Sequence, residues 1–376
     1  MNPQDDIEKP LAKRAIEPRV GSLPFVRDLL DWYERHKRPL PWRADRDPYK
    51  IWLSEIILQQ TRVVQGLPYY ERFLQTYPTV HHLAKATEQD VLHLWQGLGY
   101  YSRARHLHAC SQEVVGKLGG HFPRTYKALL KLPGIGPYTA AAIASIAFEE
   151  RVAVVDGNVY RVLARLFGIE EDIGSGKGQK VFRQQAEKLV PKRGAGDYNQ
   201  ALMEFGALQC TPQRPKCGTC PFQASCAAYQ TGRQVALPYK KRRLKIKQRF
   251  FHYLILHFED RVYVKKREEK DIWQGLYDFY LVEESELLDD IEALNDPLAA
   301  ALRPHKPTQT KSIATFVHQL THQRLYMRFF DVYLDPLSFK DVEKILMIRK
   351  MVPHPANILD TLPFPKAIHR FFSLFS

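Results

Sequence analysis

The chain has 376 residues, of which 45% are hydrophobic and 26% are charged, a composition typical of a globular protein rather than a fibrous or disordered one. This length predicts two or three domains. No apolar run in the sequence approaches the roughly 20 residues that a membrane-spanning helix needs. Lys and Arg outnumber Asp and Glu by 55 to 41, a formal net charge of +14, which favours a polyanionic partner such as nucleic acid over a merely solvated basic surface.

The N-terminal residues 1–22 are polar and lack the apolar core of an export signal, so they predict a flexible leader on a cytoplasmic protein. From Ser22 to about Phe205, apolar residues recur with helical spacing, and together with the cysteine loop that follows they predict a helical core over residues 23–233. The last strongly periodic segment ends at Gly168, a typical C-cap residue. The apolar stripes of the predicted helices are Phe25/Leu29/Trp32/Tyr33, Ile51–Leu58, Val91–Trp95 and Val159–Leu166.

Four of the five cysteines fall within seventeen residues and form the loop 210–226. In a chain without an export signal, such a cluster indicates a metal site rather than disulfides. Four thiolates can hold one Zn²⁺ or a [4Fe–4S] cluster, and their spacing does not decide between the two. The remaining Cys110 stands alone and is expected to be dispensable. The candidate ligands are Cys210, Cys217, Cys220 and Cys226.

The segment Leu132–Thr139 reads LPGIGPYT and leads into an alanine-rich run. Gly134 and Gly136 flank one apolar residue and predict a tight turn. The helix that follows begins with free backbone N–H groups, which can bind a phosphate without reading base sequence. This pattern predicts a helix–hairpin–helix that contacts the DNA backbone, with an ordinary turn between two helices as the alternative.

Two acidic residues carry the candidate chemistry. Glu55 lies in a strongly apolar helix, where burial is expected to raise the pKa of its carboxyl and suit it to act as a general acid; an exposed Glu is the alternative. Asp156 precedes a predicted helix and is a preferred N-cap worth about 1 kcal/mol, a role that its local sequence favours over a catalytic one. Two carboxyl groups across a glycosidic bond are the usual equipment for cleaving it.

The character of the sequence changes near residue 234. Residues 234–249 predict a basic linker, in which Lys240–Arg249 holds seven basic residues and no acid; such a stretch serves solubility or contacts DNA directly. Residues 250–376 predict a separate α/β domain, because aromatic and β-branched residues indicate strands there. The predicted strands are 251–258, 261–265, 276–282 and 325–334, and the predicted helices are Glu284–Leu302 and Lys366–Leu374.

The sequence resembles the helix–hairpin–helix DNA glycosylases that carry an iron–sulfur loop. The resemblance depends on four segments in this order and spacing: the Glu55 helix, the hairpin, Asp156-Gly-Asn-Val159 and the cysteine loop. More narrowly, residues 22–230 are similar to the MutY family of adenine-specific mismatch glycosylases. Further matching motifs are Leu40-Pro-Trp-Arg43, Trp52-Leu-Ser-Glu55, Leu58-Gln-Gln-Thr61 and Gly97-Leu-Gly-Tyr-Tyr101. The resemblance implies an all-α helix–hairpin–helix core with a [4Fe–4S] cofactor.

The resemblance also implies a monofunctional glycosylase that flips adenine, mispaired with 8-oxoguanine or guanine, out of duplex DNA and hydrolyses its glycosidic bond as a monomer. Glu55 would be the general acid and Asp156 would stabilise the oxocarbenium ion, supported by Tyr138 and Asn158. The implied adenine pocket contains Leu40, Trp42, Arg43 and Gln200. The implied DNA and lesion contacts are Gln60, Thr61, Leu98, Tyr100, Gly134, Gly136, Thr321 and His322.

Tyr138 stands where the related bifunctional enzyme endonuclease III carries a lysine that forms a Schiff base, so strand cutting is not expected.

Residues 250–376 resemble a Nudix-like lesion-reading module, best over Trp273–Phe279, but lack the Nudix hydrolase signature. Leu320-Thr-His322 aligns with that family's Phe-Ser-His tip and lacks its aromatic residue. Two rival functions are a thymine-mismatch glycosylase on the same scaffold and a zinc-stabilised DNA-binding regulator without catalysis.

Overall fold

The computed structural model describes residues 22–241, 246–305 and 312–372. The chain divides into two compact units, each built from separate stretches of sequence. The first unit contains residues up to Trp52, Pro123–Lys131 and Ile135–Lys241, and the second contains Leu53–Phe122, Leu132–Gly134 and the chain from Arg242 onward. Nearly all of the predicted leader, and residues 242–245 of the basic stretch, lie outside the described residues.

The first unit is helical. The apolar stripe of its first helix is buried as expected, and the helix that begins at Gly157 ends at Gly168 in the left-handed conformation. The buried rings of Trp32 and Phe205 meet edge to face with centroids 4.9 Å apart, so the first and last long helices share one core. The helices are Ser22–His36, Pro48–Ile57 (whose last five residues belong to the second unit), Tyr126–Leu129, Pro137–Phe148, Gly157–Phe167, Gly176–Leu189, Ala195–Leu208 and Ala227–Gln230.

The second unit combines a helical part with a mixed sheet. Its helices before the sheet are Val63–Thr76, Val80–Lys85, Glu88–Leu94 and Ser102–Leu118, and those within the C-terminal region are Pro297–Leu302, Pro336–Ile348 and Lys366–Phe372. The strands are β1 Lys247–Phe258, β2 Arg261–Lys266, β3 Tyr277–Asp278, β4 Tyr280–Glu284, β5 Ser312–Gln319, β6 Gln323–Leu334 and β7 Val352–Pro355. Among the described residues, no helix of either unit is long and apolar enough to cross a membrane.

The sheet is organised around β1. Strand β1 pairs with β6 in parallel along its whole length, whereas its pairings with β2 and β4 are antiparallel. The strand order is β3-β2-β1-β6-β5, with β4 on β1 and β7 on β2. Strand β1 begins at Lys247, inside the stretch predicted to be a linker. Six consecutive residues from Phe251 to Leu256 are buried, because β1 is covered on both faces.

The continuous helix predicted over Glu284–Leu302 is wrong. Only Pro297–Leu302 is α-helical, preceded by a 3₁₀ turn at Ile291–Ala293. The side chain of Asp296 accepts the N–H of Leu298 at 2.8 Å and caps the helix. Pro297 at the first helical position has no N–H to donate to an earlier turn, so the helix starts there. Strand β5 and the helix Pro336–Ile348 were not predicted.

Candidate active site

Asp156 lies at the start of the helix Gly157–Phe167, where it is the N-cap residue. One carboxylate oxygen accepts the backbone N–H of Val159 at 2.7 Å, and the other accepts the side-chain amide of Asn158 at 2.7 Å. Burial raises the pKa of the Asp156 carboxyl above its ordinary value, whereas these hydrogen bonds act in the opposite direction. The geometry therefore holds an acidic group in one orientation by both of its oxygens.

A chain of hydrogen bonds leads from Asp156 toward the cysteine loop. The side-chain oxygen of Asn158 accepts from Arg161 at 2.8 Å. The same guanidinium donates to the backbone oxygens of Gly206 and Cys210, both at 2.6 Å. Arg161 is 8% exposed, so these bonds are made away from water. Asp156, Asn158 and the first cysteine ligand are thus joined through one buried cation.

A second buried arginine shapes the cysteine loop itself. Arg165, 2% exposed, donates to the backbone oxygens of Thr211 and Pro212, both at 2.7 Å, and lies 3.3 Å from the sulfur of Cys210. The four cysteines and Arg165 line one small cavity. The neighbouring Arg214 and Lys216 are exposed, as expected for basic residues projecting from the loop.

The donor set fits an iron–sulfur cluster, because four cysteine thiols line one cavity. Burial raises the pKa of the Cys217, Cys220 and Cys226 thiols, that of Cys220 to about 12. Four ligating thiolates therefore need a cationic centre to balance them. Cys210, Cys217, Cys220 and Cys226 would hold the cluster, which would cross-link the loop.

Arg43, expected in an adenine pocket, is engaged in an ion-pair network. Its guanidinium donates to Glu204 at 2.9 Å, and Arg38 donates to the same carboxylate at 2.6 Å. Glu204 is 1% exposed. Burial alone would raise the pKa of Glu204, but the hydrogen bonds from both arginines outweigh it and lower the pKa to about 2. Gln200 lies one helical turn before Glu204, so Arg43 and Gln200 are close to the same helix face.

The other expected pocket residues, Leu40 and Trp42, are buried in the first unit, at 9% and 8% exposure. Tyr138 is the second residue of the helix Pro137–Phe148, and its hydroxyl lies 3.6 Å from the sulfur of Met203. Met203 belongs to the helix that carries Gln200. The structure therefore places Tyr138 against this helix within the same unit.

The hairpin turn has the glycine geometry that its sequence predicts. Gly134 has φ +72°, and a Cβ there would lie 2.5 Å from the Cβ of His106, so a larger residue does not fit. Gly136 is the N-cap of the following helix, with Pro137 at its first position. The backbone N–H groups of this first turn have no partners within the helix, as a phosphate site requires.

Glu55 lies in the second unit, half-buried in the last turn of the helix Pro48–Ile57 between the buried residues Ser54 and Ile56. Arg103 donates to the backbone oxygens of Ile56 and Ile57 at 2.9 and 3.1 Å and thereby caps this helix end. The expected rise in the pKa of Glu55 stays a prediction.

The loop after this helix carries Gln60, which adopts a left-handed backbone with φ +55°, and Thr61, whose hydroxyl donates to the Gln59 oxygen at 3.3 Å. A left-handed conformation is uncommon for a residue with a side chain and indicates a constrained loop. Arg103 also donates to the Gln59 oxygen, so the same cation holds the helix end and this loop.

Tyr100 is exposed rather than a core aromatic. It has φ +52°, and its side chain is 44% exposed, whereas the adjacent Leu98 is 6% exposed. The Tyr100 hydroxyl is hydrogen-bonded to the hydroxyl of Thr321. Leu320, Thr321 and His322 form the tip between β5 and β6. The structure thus brings the predicted wedge residue and the predicted lesion-reading tip together within the second unit.

A cavity of about 690 Å³ opens at this contact. Most of its lining comes from three segments of the second unit: the loop Gly97–Ser102, the turn Lys270–Gln274, and the tip Leu320–Gln323. The other lining residues are Gln65, Arg105, His318, Gln319 and Lys366. Leu98, Tyr100, Thr321 and His322 therefore line one cavity, whereas Gln60 and Thr61 lie outside its lining. Trp273, from the segment expected to belong to a Nudix-like module, lines the same cavity.

Four residues that organise these sites were missed by the sequence reasoning, namely Arg103, Arg161, Arg165 and Glu204. No sequence motif marks them, because most of their partners lie far away in the sequence. A weaker signal was a charged residue within an otherwise apolar helical segment, as Arg161 and Arg165 are within Val159–Leu166.

Family models match three parts of the chain. Residues 53–192 match the "HhH-GPD superfamily base excision DNA repair protein" model, residues 210–226 match the "Iron-sulfur binding domain of endonuclease III", and residues 251–374 match the "NUDIX domain". The fold is therefore a helix–hairpin–helix core with an iron–sulfur loop, followed by a Nudix-like α/β region, as predicted. The match over 210–226 also confirms the expected [4Fe–4S] cofactor.

Relatives narrow the class to a family. The chain is 33% identical over 323 residues to the adenine DNA glycosylase of Buchnera aphidicola subsp. Baizongia pistaciae, which covers 85% of this chain and 89% of that protein. It is 49% identical over 226 residues to the adenine DNA glycosylase of Rattus norvegicus, covering 57% of this chain. The chain belongs to the adenine DNA glycosylase family. It spans only 44% of the length of the rat relative.

Among solved structures, one titled "Structure of a thermostable thymine-DNA glycosylase" is 33% identical to this chain, with a TM-score of 0.51. It covers 56% of this chain and 97% of the other. The likeness thus supports the shared glycosylase scaffold over about half of the sequence.

Proposed function

We propose that this protein is a monofunctional adenine DNA glycosylase of base excision repair, acting on adenine mispaired with 8-oxoguanine or guanine in duplex DNA. The observation that carries the proposal is the Asp156 carboxylate, which Val159 and Asn158 hold by both oxygens at a helix start. A fixed carboxylate can stabilise the positive charge that develops on a sugar when its base leaves.

In the proposed reaction, duplex DNA is bent and adenine is flipped into a pocket, at a cost of a few kcal/mol. Glu55 protonates a ring nitrogen of adenine and turns the base into a leaving group. Asp156 stabilises the oxocarbenium ion, and water completes hydrolysis. Asn158 and Tyr138 position these groups, while Leu40, Trp42, Arg43 and Gln200 line the adenine pocket.

We assign recognition of the base opposite adenine to the cavity of the second unit. Tyr100 inserts into the kinked duplex with Leu98, Gln60 and Thr61 beside it, and Thr321 and His322 read 8-oxoguanine. The exposure of Tyr100 and its contact with Thr321 support this assignment. Gly134 and Gly136 of the hairpin bind a phosphate of the backbone.

Tyr138 cannot form the imine that a strand-cutting lyase needs, which supports the monofunctional assignment. We further propose a core of residues 23–233, a linker of residues 234–249 and a lesion-reading domain of residues 250–376. We expect a monomer that works on DNA in the cytoplasm, associated with the nucleoid.

A single assay tests the proposal. Excision under single-turnover conditions is measured on duplexes carrying A opposite 8-oxoguanine, A opposite G, and T opposite G. We expect base release from both adenine duplexes, faster opposite 8-oxoguanine, with no strand cut until alkali is added. Preferential release of thymine would favour the thymine-mismatch enzyme instead, a function that the likeness to the thymine-DNA glycosylase makes worth testing.

A further inference from the structure

From the C-terminal region, the cavity of the second unit is lined mainly by the turn Lys270–Gln274 and the tip Leu320–Gln323, together with His318, Gln319 and Lys366. The tip is closed by one backbone hydrogen bond, from the N–H of Leu320 to the oxygen of Gln323 at 2.8 Å. These two segments are far apart in sequence. Side chains that contact both segments therefore help to fix their separation across the cavity.

Arg249 of β1 makes that connection. Its guanidinium donates to Asp271 at 3.2 Å and to the side-chain oxygen of Gln323 at 3.2 Å. Asp271 and Gln323 line the cavity, whereas Arg249 does not. The guanidinium also donates to both oxygens of Glu283, at 2.8 and 2.7 Å. The planar guanidinium of Arg249 thus holds one residue from each lining segment in a fixed position.

Arg249 is poorly suited to bind a DNA phosphate, although it belongs to the stretch predicted to be a basic linker. Its side chain is 11% exposed. Two carboxylates, Asp271 and Glu283, already neutralise its single charge. A cation that is largely shielded from solvent and doubly paired contributes little to the attraction of a polyanion.

The turn is held at Asp271 from two further directions. Arg267, 7% exposed, donates to Asp271 at 2.7 Å, and the backbone N–H of Ile272 donates to the same carboxylate at 2.7 Å. On the other side of the turn, Arg105 donates to the side-chain oxygen of Gln274 at 3.2 Å. Arg249, Arg267 and the backbone N–H of Ile272 therefore all converge on the carboxylate of Asp271.

We propose that Arg249 is a positioning residue for discrimination of the base opposite adenine: by holding Asp271 and Gln323, it sets the width of the cavity that receives 8-oxoguanine. This inference rests on the proposed function of the cavity. Arg249 lies outside the cavity lining, so we expect its loss to lower the excision rate on the lesion duplex and to spare adenine excision opposite guanine.

The test uses the full chain with Arg249→Gln, which removes the guanidinium group and its charge. We expect the ratio of excision rates, A:8-oxoguanine over A:G, to fall by about tenfold, because small displacements of positioning groups have large effects on rate. The A:G rate and the salt dependence of binding stay as in the wild type. The matched control is Lys241→Gln, an exposed residue of the same basic stretch, which should leave the ratio unchanged.

Two outcomes would overturn the inference. An unchanged rate ratio would show that Arg249 does not act on discrimination. A slope of log affinity against log salt that becomes shallower by about 1, with an unchanged ratio, would make Arg249 a phosphate contact instead. If the wild type itself shows no preference for 8-oxoguanine, the proposed function of the cavity fails before this inference is reached.

Further variants separate positioning from stability. Asp271→Asn should also lower the rate ratio. The double variant Arg249→Gln/Asp271→Asn should lower it no further than either single change, because both changes remove the same contact. Glu283→Gln removes a partner of Arg249 that does not line the cavity, and should lower the unfolding temperature while keeping the ratio. If Arg249→Gln fails to fold, Arg249→Lys serves in its place; a lysine reaches one acceptor at a time, so a wild-type ratio there would also contradict the inference.

Discussion

The side-chain amide of Asn158 donates a 2.7 Å hydrogen bond to the carboxylate of Asp156, and its oxygen accepts from Arg161 at 2.8 Å. Asn158 thereby connects the proposed cation stabiliser to a buried arginine that also binds the backbone oxygen of Cys210. The orientation of Asp156 is set by this network and by the N–H of Val159. The same carboxylate can thus serve both as a helix cap and in chemistry.

Replacing Asp156 by Asn separates those two roles. Asparagine caps helices about as well as aspartate, so the free energy of unfolding should change by less than about 1 kcal/mol. Excision should nonetheless fall by more than about a hundredfold, because the negative charge is gone. Urea unfolding and single-turnover excision measure the two effects. Asp156→Ala is the matched variant, which should lose the cap as well; near-normal excision by Asp156→Asn would leave Asp156 with a structural role alone.

Glu55→Gln should retain DNA binding and lose base excision by about a hundredfold to ten-thousandfold, the range typical of general acids, because an amide cannot donate the proton. Binding is measured by titration and excision under single-turnover conditions. Glu71→Gln, at an exposed position of the helix Val63–Thr76, is the control for a lost carboxylate. If Glu55→Gln excises adenine at the wild-type rate, the general acid lies elsewhere.

Cys217→Ser should lower the iron content and weaken DNA binding, because the loop that carries Arg214 and Lys216 loses one of its cross-links. Elemental analysis of the wild type should find iron. Its visible spectrum should show absorption at about 400 nm, as iron–sulfur proteins do. Cys110→Ser is the control, since Cys110 is fully buried and remote in sequence from the cysteine loop. One equivalent of zinc without iron would contradict the cluster.

Glu204→Gln should destabilise the first unit by about 3 kcal/mol, because Arg38 and Arg43 would keep their charges beside a neutral group. The pKa of Glu204 is lowered from 4.5 to about 2, so its contribution to stability is complete above pH 4.5 and is lost as the pH falls toward about 2. The difference in unfolding free energy between wild type and variant should therefore shrink over that window. Glu170→Gln, which breaks an exposed pair with Arg233, should cost less than about 1 kcal/mol. A difference that does not depend on pH would show that the charge of Glu204 is not what stabilises the unit.

Local signals in the sequence were sufficient for the elements that carry the proposed site. The Asp156 cap, the Gly168 C-cap and the Gly134 turn were correctly predicted, because each depends on the conformational preference of one residue and its immediate neighbours. The helix predicted over Glu284–Leu302 was wrong, because the sequence has a helical apolar pattern there but Asp296 and Pro297 start a new helix within it. Strand β1 also begins inside the basic stretch, since its pairing with β6 outweighs the local charge.

What the sequence determined by itself is thus the order of helices, the hairpin turn, the cysteine loop and the residues that the family resemblance marks. The tertiary structure alone decided which charges are buried and paired: Arg38 binds Glu204 across 166 residues, Arg161 binds Gly206 across 45, and Arg249 binds Gln323 across 74. Burying an ionised group is unfavourable unless a partner is brought to it, and the partner comes from wherever the fold places one. No local pattern contains that information, because the spacing between such partners is set by packing rather than by the geometry of a helix or a strand.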